Sequence, residues 1–154
     1  MDNQYVIFHI IRQYFINDRS MIKVSFFNSV CYLAIKYAVF FFVLAFIENR
    51  FKDAVINNAE TTMELMKLSL GYVLYILFYM FFLVLFFSIP LYFIMKIENK
   101  IYFVLSMIAF FAIEYFTYTY LFSPSDKMIG IYNLIIGIIV FVLFYYKSLI
   151  QIFK

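Results

Sequence analysis

The sequence predicts an all-α integral membrane protein, a bundle of four transmembrane helices preceded by an amphipathic helix at the membrane interface. Three observations predict it. Of the 154 residues, 67% are hydrophobic and 14% charged. A soluble domain is about a quarter charged, so this chain has too few polar side chains to cover a water-facing globule. Four apolar runs, almost free of charge, are each long enough to cross a hydrocarbon core of about 30 Å. Two of these runs carry a single charge near their midpoints, Lys36 in the first and Glu114 in the third, which points to a bundle with a shared polar layer.

Residues 5–16 place Ile7, Phe8, Ile10, Ile11, Tyr14 and Phe15 on one helical face and His9, Arg12 and Gln13 on the other, the pattern of a helix lying in the interface. It serves as an anchor for the first span or as an arm that responds to lipid or a partner. Asn17, Asp18 and Ser20 offer a break and a cap after it. Because Asp2 stands where a basic region would, and His9 and Arg12 interrupt the apolar stretch, no cleavable signal is expected and the first span directs insertion.

The spans are expected at 24–46, 68–95, 101–122 and 128–146. Pro90, near the end of the second, predicts a kink or an early exit, because proline removes a backbone donor. The turns at 95–100 and 123–127 are short and make consecutive helices antiparallel neighbours. The 47–67 connection has Phe51, Val55, Ala59, Thr62 and Met66 spaced for one helical face, and it carries Glu60 and Glu64 one turn apart. Those carboxylates form a solvated acidic face or a seat for a cation or basic ligand.

Charge placement sets the expected orientation. Seven Lys and Arg residues fall on the side of the termini (Arg12, Arg19, Lys23, Lys96, Lys100, Lys147, Lys154) and four on the other (Arg50, Lys52, Lys67, Lys127). Both termini are therefore expected in the cytoplasm, with the chain in the cell inner membrane. Tyr92, Tyr102, Tyr145 and Tyr146 cluster at the cytoplasmic boundary in place of the absent Trp.

The polar layer follows from the helical rise of about 1.5 Å per residue, which puts Lys36 and Glu114 roughly 18 and 20 Å from the cytoplasmic edge. Asn133 on the fourth span and Tyr79 on the second reach a similar level, so each helix offers one polar group there. Ser25, Asn28, Ser29 and Tyr32 form a stripe leading to Lys36, while Thr117 and Tyr118 lie one turn beyond Glu114. Tyr72, Tyr75 and Tyr79 share a face of the second span, which extends the polar groups toward the far side. The layer is expected either to fix helix register or to pass a proton or ion. Gly130 and Gly137, seven apart, form a smooth strip for a closely approaching helix, inside the bundle or from a partner.

The composition excludes several functions. A net charge of +3 is too small to imply nucleic acid, and a single cysteine, Cys31, rules out an intrachain disulfide or thiolate cluster. No HExxH, GxSxG or phosphate-binding glycine loop occurs, and the chain has only three glycines, so no catalysis, cofactor or metal is expected. With four spans, short loops and little mass outside the membrane, the chain resembles colicin-type immunity proteins in overall design. That resemblance implies a non-catalytic protein acting on another membrane protein, in toxin immunity or antiphage defence. The alternative expectation is a homo-oligomeric channel or small transporter that uses the Lys36/Glu114 layer.

Overall fold

A computed structural model describes residues 25–122 and 127–153, so the amphipathic segment 5–16 and the turn at 123–126 lie outside the described residues. The described chain is all-helical. The long helices are α1 (Phe26–Phe46), α3 (Thr62–Met95), α4 (Lys100–Phe116) and α5 (Met128–Phe153), and short α2 (Arg50–Ala54) lies between the first two. Four of its helices have the length and hydropathy to cross a membrane, which makes the chain a multi-pass membrane protein.

The spans are close to those expected, with α3 starting earlier, α5 running on to Phe153, and α4 giving way to a different turn after Phe116. Helix α3 begins at Thr62 because Thr61 caps it, its hydroxyl accepting from the Glu64 amide at 3.2 Å. The Glu64 carboxylate turns back to accept from the Glu60 amide at 3.0 Å, so Glu64 serves as a cap. At 34 residues α3 is about 51 Å long, more than a bilayer core needs, and its first turns carry the charges Glu64 and Lys67. Pro90 does not end the helix, which runs on to Met95. Prolines are tolerated inside spanning helices, and here the helix continues for five residues beyond Pro90. The 47–67 segment divides into short α2, a 3₁₀ turn at Ile56–Asn58, and the first turns of α3 from Thr62. Asn49 takes the left-handed conformation with φ 57°, one asparagine adopts readily, and turns the chain into α2.

Two local irregularities shape the interior. After Phe116 the chain widens into a π-helical turn, Thr117–Phe122, and the consecutive residues Tyr118 and Thr119 both point inward. Helix α5 bends at Tyr145, where φ is −103° and ψ 15°. Tyr145 was expected at the interface, but it is buried against Tyr32 and Phe141. Tyr102 and Tyr146 remain exposed, and Tyr92 stacks edge-on with Phe26 and beneath the Lys96 ammonium.

The packing is a ring in chain order. Helix α1 lies against α3 and α5, and α4 lies against α5 and, less extensively, α3. Helices α1 and α4 therefore face each other across the diagonal. The core between them is aromatic and aliphatic, built on Tyr32, Tyr37, Phe40, Phe87, Leu91, Phe103, Phe110 and Phe141. All buried residues of α3 come from its second half, Leu83 to Met95. Its first half is exposed or half-buried throughout.

Candidate functional site

The center of the bundle is a charged lock across the diagonal. Lys36 of α1 and Glu114 of α4 are both at 0% exposure, and the Lys36 ammonium donates to Glu114 Oε2. Two parallel helices on opposite corners of a ring are too far apart for short side chains to meet, and this pair uses two of the longer charged ones. The second carboxylate oxygen, Oε1, accepts from the Tyr37 hydroxyl at 2.6 Å. Lys36 Nζ also lies 4.9 Å from the centroid of the Tyr37 ring, a cation–π distance. Each oxygen of Glu114 thus has its own donor, the condition under which a buried pair is tolerated in low dielectric.

Tyr37 is the residue that sequence reasoning missed. Tyr79, expected at the level of the polar layer, lines a cleft beside Tyr72 and Tyr75. Helix α1 is wrapped by neighbors on two sides, so adjacent positions 36 and 37 both turn inward. A search for a second donor to a mid-membrane carboxylate among the residues flanking Lys36 would have found it.

The stripe on α1 turns inward partway. Ser25 is exposed, Asn28 half-buried, and Ser29 and Tyr32 fully buried. Tyr32 donates its hydroxyl to the Gly137 carbonyl at 3.0 Å, and its ring is enclosed by Phe141, Phe144 and Tyr145. On the other side of the pair, Tyr118 packs edge-on against Phe40 with ring centroids 5.0 Å apart. Along α1, aromatic rings therefore close over the lock in both directions. Thr117 does not join the layer, because its hydroxyl donates to its own helix at the Ile113 carbonyl, 2.7 Å away. Asn133 is fully buried on α5, one turn from Gly130 and from Gly137, and its amide makes no hydrogen bond among the described residues.

The glycine strip faces inward and is not an external docking surface. A Cβ on Gly137 would lie 3.0 Å from Lys36 Cε and 3.2 Å from the Phe111 ring. On Gly130 it would meet Thr119 Oγ1 at 2.0 Å. Gly137 makes room for the lysine stem, and Gly130 for the threonine that the π-helical turn swings in. Both belong to the packing of α1 and α4 against α5.

Two openings flank α3, and both include Tyr79 and Leu83. One is a lateral groove of about 530 Å³ between α3 and the π-helical turn, walled by Phe78, Phe82, Phe86, Phe87 and Thr117. The other is a cavity of about 520 Å³ lined by α1, α2 and α3 together with Tyr118 and Ile129, with the charged Arg50 and Asp53 among its lining residues. Neither was expected from the sequence. Among the described residues no group of three or more His, Cys, Asp or Glu side chains is arranged to hold a metal ion. No protein-family model matches the chain, and no curated protein or solved structure shows significant similarity to it.

Proposed function

We propose that this chain is a small non-catalytic protein of a bacterial inner membrane, with both termini cytoplasmic, which acts by lateral contact with another membrane protein. The observation that carries this reading is the half-packed α3 and the apolar groove beside it. The protein's one mid-membrane charge pair is locked and enclosed by rings, whereas the groove lies open to the lipid. Its walls are aromatic, its polar lining groups among the described residues are Tyr79 and Thr117, and the Thr117 hydroxyl is already bonded within its own helix. Such a surface suits an uncharged transmembrane helix, because aromatic side chains pack well against a smooth apolar partner and little desolvation is required. Self-protection against a pore-forming toxin, or a part in antiphage defence, matches this mode of action: binding a toxin's membrane-inserted helix would block it without catalysis.

The test places a photo-crosslinking amino acid in living cells at Phe82, in the groove, and at Leu143, an exposed position on α5. The reading predicts one discrete protein adduct from position 82, absent from position 143 and lost when Phe78 and Phe86 are both changed to alanine. Equal adducts from both positions, or adducts to lipid alone at position 82, would refute it.

A further inference from the structure

Asn133 carries a buried amide to which no described residue is bonded. It stands at 0% exposure on α5, and neither its Nδ2 nor its Oδ1 makes a hydrogen bond among the described residues. Leaving both atoms of an amide unpaired in a low-dielectric interior is costly, so the group calls for a partner. Two polar groups flank it. Three residues before Asn133, Thr119 Oγ1 lies 2.0 Å from where a Cβ on Gly130 would stand, and this hydroxyl too is buried without a hydrogen bond among the described residues. Four residues after Asn133, Lys36 Nζ lies 3.3 Å from the corresponding point on Gly137. Helix positions three and four apart share a face, with Cβ atoms about 5–6 Å from each other, so the hydroxyl and the ammonium sit one turn to either side of the amide. Gaps on that scale are too long for one hydrogen bond and suit two laid end to end.

From this we infer that Asn133 and Thr119 form a binding site for an internal water molecule, shared with the Lys36 ammonium. The groups around the site select water over an ion. A cation would stand beside the ammonium and an anion beside the Glu114 carboxylate, whereas an amide and a hydroxyl each donate and accept, as water does. The ammonium has three donors and directs one to Glu114 Oε2, which leaves N–H groups for the water oxygen. Buried waters typically make about three hydrogen bonds to groups otherwise unpaired, and amide, hydroxyl and ammonium supply that number. The water also has a way in. Phe40, Tyr118 and Ile129 line the cavity of about 520 Å³, and each is four residues from a member of the polar layer, Lys36, Glu114 and Asn133 respectively. The cavity therefore reaches to within one turn of the site. Bound there, the water ties α5 into the lock between α1 and α4.

The experiment is a crystal structure of the full chain grown from a lipid mesophase, with Asn133→Leu and Thr119→Val solved alongside it. The native crystal should show one ordered water within hydrogen-bonding distance of the Asn133 amide and Thr119 Oγ1. In Asn133→Leu, which keeps nearly the same volume, the water should be lost while Lys36 still donates to Glu114. Thr119→Val keeps the shape but removes one partner, and it should lower the occupancy of the water. A native crystal in which the Asn133 amide bonds directly to a protein group, or in which the site holds no density, would overturn the inference, as would a water retained in Asn133→Leu. The native crystal decides the question by itself, so a variant that fails to fold leaves the test intact.

Discussion

Replacing Glu114 with leucine should be more damaging than replacing its partner Lys36 with methionine, and replacing both should be less damaging than Glu114→Leu alone. The order follows from the donors. Glu114 has two oxygens and two donors, the Lys36 ammonium and the Tyr37 hydroxyl. Lys36→Met removes one donor and leaves the carboxyl with Tyr37, so its cost belongs at the lower end for a broken buried pair, about 3 kcal/mol. Glu114→Leu strands an ammonium and a hydroxyl together, at the upper end, about 5 kcal/mol. The double variant strands only the Tyr37 hydroxyl, about 1 to 3 kcal/mol, because an ion pair replaced by apolar groups of similar size is often close to neutral. The assay is equilibrium unfolding in mixed detergent micelles followed by circular dichroism. If the two single effects simply add in the double variant, the lock described here does not exist.

The glycines give a second prediction. Gly130→Ala should destabilize more than Gly137→Ala, because its Cβ would lie 2.0 Å from Thr119 Oγ1 while that of Gly137 meets the flexible Lys36 stem at 3.0 Å. Thermal melting should show Thr119→Ala rescuing Gly130→Ala, and Gly71→Ala, which meets nothing within 4 Å, should leave the midpoint almost unmoved. At the start of α3, Thr61→Ala removes the cap on the Glu64 amide and should cost about 1 kcal/mol, read as faster amide exchange over the first turn of the helix.

The four spans could be read directly from the sequence because uncharged apolar runs of that length have few alternatives to crossing a bilayer. Lys36 and Glu114 could be read for the same reason: a charge at mid-depth must find a partner, and equal depth on parallel helices named each to the other. What lay beyond reach was the direction each face turns. In a soluble protein, alternation of polar and apolar residues marks the buried side, but lipid is as apolar as a protein core, and α3 is apolar on every side. Beyond the charged first turns, nothing in the composition of α3 marks which stretch packs and which stays exposed, so the two openings beside it were invisible. The same ambiguity left Gly130 and Gly137 open to a partner helix, when the long stem of Lys36 and the inward Thr119 occupy that space. Tyr37 was missed because the stripe was followed at three- and four-residue steps to Lys36, and position 37 is a quarter turn away from it.

If the mid-membrane pair serves only to hold the bundle together, nothing is carried across it. This is tested most directly by measuring proton and potassium flux in sealed liposomes containing the purified chain, under an applied gradient. The expected flux equals that of protein-free liposomes. Flux above that level, abolished by Lys36→Met while the protein still inserts, would contradict it.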